Sequence, residues 1–250
     1  MLKFLKYNPP GESSEFDLTF GEDYVSESKK NSDFRVDADI DASFEAVRRI
    51  LHTDVNGDIK IRWFNFGNAK HKKRGFIIWV DGLANSIMLN DFILRPLMSA
   101  HNNTAHEQQT DISFYVENII HQGAIAYQTS VTELVGSINT GNAALFLDGC
   151  TNAVSFDIKT WEHRGVDSPV NEAVVQGPHE GFNEVLRCNS ALIRKSVNSS
   201  DLVMETYFFG TKSKTPASLA YIDGTINPSL LSEIKKALSG IDEQYDGKIQ

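Results

Sequence analysis

Apolar residues follow a helical period at the start of the folded part of the chain and an alternating period directly after it. Asp41-Ala42-Ser43 is typical of a helix N-terminus. The apolar positions behind it lie three and four residues apart: Phe44, Val47, Ile50 and Leu51. We expect this helix to end near Asn56-Gly57. Alternation over residues 59–64 then predicts a strand with one wet face.

The next run, residues 75–80, is apolar on both faces and predicts a central strand. It stops at Asp81-Gly82, where glycine permits a positive φ and the aspartate can hydrogen-bond nearby backbone. Apolar residues between positions 87 and 94 predict a helix after this turn.

The middle of the chain predicts a strand, a helix and two further strands. These elements cover residues 124–127, 132–138, 143–147 and 153–158. Asp148-Gly149 is expected to form the hairpin turn between the last two strands.

The order helix, strand, strand, Asp-Gly, helix occurs a second time in residues 183–240. Its strands are expected over residues 202–208 and 217–222, and the second of them stops at Asp223-Gly224. Gly67 precedes Asp81 by 14 residues, and Gly210 precedes Asp223 by 13. Agreement in order, spacing and element type predicts an internal duplication.

Together these elements predict a mixed α/β fold with two small α/β lobes. A two-stranded sheet alone is marginally stable, so each copy of the repeated unit needs further strands to cover its helices. We expect the first lobe over residues 34–165 and the second over 166–250, since neighbours in sequence usually pack together. In the alternative, residues 106–165 form an inserted lobe, and 34–105 with 166–250 form the other. Residues 1–33, which are polar and aperiodic from residue 8 onward, predict a flexible arm.

Charge and composition narrow the range of partners. The chain has 24 basic and 33 acidic residues and a formal net charge of -9, which argues against nucleic acid as a partner. No apolar run approaches the roughly 18 residues of a membrane-spanning helix. We expect Cys150 and Cys188 to be buried free thiols.

Motifs that would indicate catalysis are missing from the sequence. Neither a Gly-x-Ser-x-Gly elbow nor a phosphate-binding loop occurs, so we expect no enzyme and no cofactor. His101 and His106, with Glu107 and Asp111 behind them, lack a second ligand pair and predict no metal site. The residues of the three Asp-Gly turns are expected to be structural: Asp81, Gly82, Asp148, Gly149, Asp223 and Gly224.

Basic residues mark the tip of each predicted hairpin. Residues 70–74 form the run Lys-His-Lys-Lys-Arg, and Lys212 and Lys214 occupy the same place in the second unit. They are interpreted as solvated tips or, alternatively, as contacts for anionic headgroups or an acidic partner.

The segment that leads into the helix of the second unit combines two glycines and a proline. Such a connection is stiff, and free backbone N–H groups at the start of the following helix can hold an anion. A plain linker and a binding or interface role both fit this pattern. The candidate binding or interface residues are Gln176, Gly177, Pro178, Glu180, Gly181, Phe182, Arg187, Asn189 and Arg194.

Several of these motifs resemble the N-terminal soluble region of A subunits of Ger-type spore germinant receptors. The similar segments are residues 80–82, 92–98, 144–149, 175–182, 192–194 and 221–228. The resemblance covers roughly residues 40–240. His179 stands where the family pattern usually has arginine, which weakens any charge role assigned to that position.

The resemblance implies a non-enzymatic part of a membrane receptor that acts with B and C subunits in the inner spore membrane, through spanning helices absent from this chain. It implies a contribution to nutrient sensing, receptor assembly and the signal that triggers germination and ion release. In the alternative, the domain itself binds a small-molecule germinant in the inter-lobe cleft. The missing signal peptide favours the cytoplasmic or core side, and a homo-oligomer is left open.

Overall fold

In a computed structural model of the chain, the described residues are 34–67, 72–99, 111–160 and 181–244. A five-stranded antiparallel sheet is the largest element of the fold, with the strand order β1-β2-β4-β5-β3. Its strands are β1 (Ile59–Gly67), β2 (Lys72–Val80), β3 (Ile125–Gln128), β4 (Ala143–Leu147) and β5 (Ala153–Phe156). β2 pairs with β1 on one side and with β4 on the other, which confirms the prediction of a central strand.

Helices cover both faces of this sheet. One face packs against α1 (Ile40–Leu51) and α5 (Val131–Asn139), and its core includes Val47, Phe76, Leu134 and Phe146. The other face packs against a broken helix, residues 86–99, and against α4 (Ile112–Asn118). Helices cover both faces of β4 and of β2 from residue 75 onward, and these parts of the two strands are correspondingly apolar, whereas β2 begins with Lys72, Lys73 and Arg74.

A separate two-stranded antiparallel sheet follows in the chain. It consists of β6 (Leu202–Phe209) and β7 (Thr215–Ile222), in a register that pairs Leu202 with Ile222. α6 (Leu186–Ser196) precedes this hairpin and α7 (Pro228–Gln244) follows it. The predicted mixed α/β fold class is therefore confirmed.

The observed bounds of the first helix differ from the predicted ones. α1 begins at Ile40 because the carboxylate of Asp39 accepts a hydrogen bond from the Asp41 amide. It ends at Leu51, since His52 takes a left-handed conformation with φ of 48°. The expected start at Asp41-Ala42-Ser43 and the expected end near Asn56-Gly57 were therefore wrong.

The helix predicted after Asp81-Gly82 has three parts. α2 (Ser86–Met88) runs into a π-helix (Leu89–Leu94), and α3 (Arg95–Ser99) continues from it. Asn85 caps the start, with its Oδ1 accepting hydrogen bonds from the amides of Ile87 and Met88. α4 was not predicted at all.

The two hairpins, β1–β2 and β6–β7, share the same backbone hydrogen bond at their open ends. The Asp81 amide donates to the Asp58 carbonyl, and the Asp223 amide donates to the Asp201 carbonyl, each at 2.8 Å. Their sheets differ, because β2 continues into β4 while β6 and β7 pair only with each other among the described strands. Duplication and the division into two lobes stay predictions, and the predicted arm, residues 1–33, lies outside the described residues.

Candidate functional site: the junction between the two sheets

The connection between α1 and β1 meets the first half of β6. The side chain of Asn56 spans this meeting point, since its Nδ2 donates to the Leu51 carbonyl at 2.6 Å. Its Oδ1 accepts a hydrogen bond from the Met204 amide at 2.6 Å. Asn56 therefore satisfies a carbonyl at the end of α1 and fixes the position of β6 with one buried side chain.

Arg194 enters the same place from α6. The residue is only 1% exposed. Its Nη2 donates to Asp58 Oδ1 at 2.9 Å and to Asn56 Oδ1 at 3.1 Å, and its Nε donates to Asp58 Oδ2. A buried guanidinium is stable only when it is paired and hydrogen-bonded, and the bidentate contact with Asp58 meets that need.

Backbone contact closes the junction between these side chains. The Gly57 amide donates to the Met204 carbonyl at 2.9 Å. A Cβ at Gly57 would lie 2.1 Å from Thr206 Oγ1, so no larger residue fits without a shift of the neighbouring strand. We use the name junction for Asn56, Gly57, Asp58 and Arg194 with the β6 backbone at Met204.

Two further contacts link each helix–hairpin segment to the other in a reciprocal way. Arg187 Nε on α6 lies 3.3 Å from Oδ1 of Asp81, the residue that directly follows β2. His52 Nε2, at the end of α1, lies 3.6 Å from Oδ2 of Asp223, the residue that directly follows β7. The helix before each hairpin thus contacts the aspartate that follows the other hairpin.

The turn at Gly82 supports this arrangement. Gly82 has φ of +93°, and a Cβ there would lie 3.1 Å from both the Ala191 Cβ and the Arg187 carbonyl. The turn therefore combines a left-handed backbone with a close approach of α6, and both conditions favour glycine.

A second polar cluster holds α7 against the β6–β7 sheet. The carboxylate of Glu205 accepts hydrogen bonds from Tyr207 and Tyr221, each at 2.6 Å, and from Lys235 on α7. Burial acts to raise the pKa of Glu205, but these three donors outweigh it and hold the pKa below its usual value. Burial and the contact with Glu205 raise the pKa of Tyr207 to about 12.

The structure brings only some of the predicted site residues together. Arg187 and Arg194 contact the first unit, whereas Asn189 bonds locally to the backbone amide and carbonyl of Asn183. Phe182 is 70% exposed. Gln176, Gly177, Pro178 and Glu180 lie outside the described residues.

The three predicted turns are accounted for by backbone conformation. Gly82, Gly149 and Gly224 have φ of 93°, 86° and 76°. The aspartate Asp148 follows β4, and its amide donates to the Arg74 carbonyl at 2.9 Å. At the first basic tip, Arg74 pairs with Asp41 at 2.5 Å, while Lys70 and His71 lie outside the described residues.

Asn56, Asp58 and Glu205 were missed by the sequence interpretation. The sequence pattern places Asn56 and Asp58 only in the connection between a helix and a strand, and Glu205 only within a strand. The available signal was a charged residue, Glu205, inside an apolar strand, because such a residue is rarely buried without a partner.

Three properties of the described residues complete the picture. They contain no group of three histidine, cysteine or acidic side chains placed to hold a metal ion. No helix among them has both the length and the apolar content that crossing a bilayer requires. Their two cysteines form no disulfide with each other, and Cys150 is buried as expected while Cys188 is only half-buried.

Comparison with known proteins places this geometry in context. A family model described as Bacillus/Clostridium GerA spore germination protein matches residues 45–246. The uncharacterized membrane protein YfkQ of Bacillus subtilis (strain 168) is 32% identical over 217 residues, which cover 87% of this chain and 40% of that protein. Spore germination protein B1 of the same organism is 28% identical over 211 residues, covering 83% and 41%. The chain thus spans about two-fifths of the length of these relatives.

A solved structure shares the fold. It is the crystal structure of the N-terminal domain of the A subunit of the Bacillus megaterium spore germinant receptor GerK3. The TM-score is 0.66 at 22% sequence identity, and the likeness covers 84% of this chain and 75% of the other. At this identity the likeness establishes the fold alone.

Proposed function

We propose that this chain, which belongs to the GerA family of Bacillus and Clostridium spore germination proteins, forms the N-terminal soluble part of a germinant receptor A subunit. Membership of this family confirms the resemblance carried by residues 80–82, 144–149 and 221–228. The proposed role is non-enzymatic. The domain contributes to nutrient sensing, to receptor assembly and to the signal that triggers germination.

The junction is the observation that supports a role in signal transmission. Arg194, Asn56 and Asp58 tie α6 and β6 to the end of α1 through buried polar contacts. Such contacts depend on geometry more strongly than apolar packing does, so a small displacement of one sheet changes the stability of its attachment to the other. A signal then shifts the population between two orientations of the sheets.

The proposed setting is a membrane complex in the spore. B and C subunits are the expected partners, and spanning helices outside this chain anchor the receptor in the inner spore membrane. The domain faces the cytoplasmic or core side, and a homo-oligomer stays open. Ion release is the expected downstream event.

Substitution at the junction in the full-length protein tests this role. We expect spores carrying Arg194→Met to germinate more slowly with nutrient, since Asp58 loses its partner. The double variant Asp58→Leu/Arg194→Met separates signalling from stability, because an apolar pair often replaces a buried ion pair without loss of stability. A double variant that folds and germinates normally would refute the signalling role. Arg48→Met, on the exposed side of α1, is the matched control.

The segment 176–182 is proposed as a hinge or contact beside α6. Replacing Gly177 and Gly181 by valine should impair germination while the isolated domain still folds, because valine restricts the backbone of a connecting segment. A normal nutrient response in spores with both substitutions would remove the hinge role.

A second proposed function is capture of a small-molecule germinant by this domain, in a cleft between the lobes. Ligands in α/β folds commonly bind in such crevices. Gly57 packs closely on Thr206, which leaves no room for a ligand at this contact and favours the transmission role for the junction. Calorimetry with amino acids and sugars separates the two: heat and thermal stabilisation with one nutrient support capture, and their absence supports transmission alone.

A further inference from the structure

A groove on the first sheet is lined by residues that do not belong to the junction. It has a volume of about 620 Å³ and runs between β1 and the broken helix 86–99. Its lining includes Arg62, Ile87, Asp91, Leu94, Arg95 and Met98. This volume falls in the range of small-molecule sites.

The two arginines of the groove differ in their partners, because Arg95 pairs with a carboxylate and Arg62 bonds to a sulfur atom. Asp91 pairs with Arg95 at 2.9 Å, so its carboxylate already has a cation. The guanidinium of Arg62 donates to the Met98 sulfur at 3.5 Å, and a thioether is a weak acceptor. No carboxylate of the described residues lies within ion-pair distance of Arg62. The groove therefore presents a cation that retains most of its capacity to bind an anion.

Apolar side chains lie beside this cation. Ile87 is 71% exposed and Met98 is 46% exposed, while Leu94 between them is buried. Covering Ile87 and Met98 removes apolar surface from water, which stabilises a bound apolar group by roughly 25 cal/mol per Å².

The backbone of the groove wall is also unusual. Asp91 and Leu94 belong to the π-helix (Leu89–Leu94), and Ile87 and Met98 stand in the short α-helical pieces on either side of it. π-helical turns are rare and occur frequently at functional sites. This wall is independent of the charge of Arg62 on β1, and both features meet in the same groove.

We infer that this groove binds a small monocarboxylate with an apolar body, with the carboxylate on Arg62 and the apolar body against Ile87 and Met98. A free amino acid fits less well. Its ammonium group needs an anion, and the carboxylate of Asp91 is already paired with Arg95. The inference therefore distinguishes N-blocked or simple carboxylates from zwitterions, and it does not depend on the proposed signalling role.

Titration of the 250-residue chain with N-acetyl-L-leucine tests the inference, with the methyl resonances of Met98 and Ile87 as the readout. N-acetyl-L-leucinamide is the uncharged match, and L-leucine is the zwitterionic match. We expect both to bind at least about tenfold more weakly, since a hydrogen bond to a charged group contributes enough for that difference.

Three exposed positions supply the variants. Arg62→Ala and Ile87→Asp should each weaken binding of N-acetyl-L-leucine by about tenfold or more, and Arg49→Ala on α1 should leave it unchanged. The inference is overturned if neither methyl resonance shifts, if Arg62→Ala binds as the unchanged chain does, or if the leucinamide binds as tightly. L-leucine binding as tightly as its N-acetyl form would overturn the exclusion of zwitterions.

Discussion

The hairpins β1–β2 and β6–β7 have similar local sequences and closures, yet they are stabilised by different interactions. β2 lies inside a five-stranded sheet, and Phe76 and Ile78 on it are completely buried. β6 and β7 form a two-stranded sheet, an arrangement that is marginally stable alone. Polar contacts at Asn56 and Arg194 attach this second sheet to the first.

This difference separates the parts of the domain that set stability from those suited to change. Close-packed apolar cores resist small displacements. A buried polar connection is specific in its geometry and costly when only partly satisfied, so it favours discrete arrangements. In the proposed function, the first sheet is therefore the platform of the domain, and the junction is the attachment that changes.

The largest expected effect comes from the core of the first sheet. Phe146 on β4 stacks on Phe76, with their ring centroids 4.5 Å apart, and is 1% exposed. Phe146→Ala should lower the free energy of unfolding by about 4 kcal/mol, because it removes buried apolar surface and leaves a cavity. Urea unfolding measures this loss. A loss below that of a junction variant would reverse the comparison between the two regions.

Next in size is the loss of the buried cation at the junction. Arg194→Met should cost about 3 kcal/mol, since Asp58, whose side chain is only 10% exposed, loses the cation that pairs with it. Asp58→Leu in the same chain should recover much of that loss, which a double-mutant cycle measures. Additive effects of the two substitutions would show that the pair is not coupled.

Close packing at Gly57 gives a smaller effect. Gly57→Ala places a Cβ against Thr206 and should cost about 2 kcal/mol through overpacking between the sheets. Gly123→Ala is the control, because a Cβ at Gly123 meets nothing within 4 Å. Thermal unfolding of both variants makes the comparison, and equal melting temperatures would contradict the packed contact.

The smallest effect concerns the attachment of α7 and depends on pH. Glu205 has a pKa held below its ordinary value of 4.5, so its stabilising contribution is present above pH 4.5 and is lost as the pH falls through the lower folded value. Glu205→Gln should therefore cost about 1 kcal/mol at pH 7 and less at pH 3. A cost that is the same at both pH values would exclude the charged form as the stabilising one.

Local pattern predicted the strands and turns because their causes are local. The apolar run 75–80 and the glycines after Asp81 and Asp223 depend on burial and on backbone conformation at single positions. The left-handed His52 and the π-helix were not predictable in this way, since neither has a strong residue signature. α4 is seven residues long and follows a polar stretch, so its periodicity is weak.

The junction needed tertiary structure for its recognition. Arg194 was a candidate from the sequence, but Asn56 and Asp58 are 138 and 136 positions away from it along the chain. A polar residue in a connection has the same local pattern whether it meets water or a buried guanidinium. The segment at 176–182 stays a prediction.

Hydrogen exchange of the β6 and β7 amides, in the unchanged chain and in Arg194→Met, tests most directly the claim that the junction holds the second sheet to the first. The account predicts that exchange in these two strands becomes about a hundredfold faster in the variant, as expected for a loss of about 3 kcal/mol. Unchanged protection of β6 and β7 in Arg194→Met would contradict it.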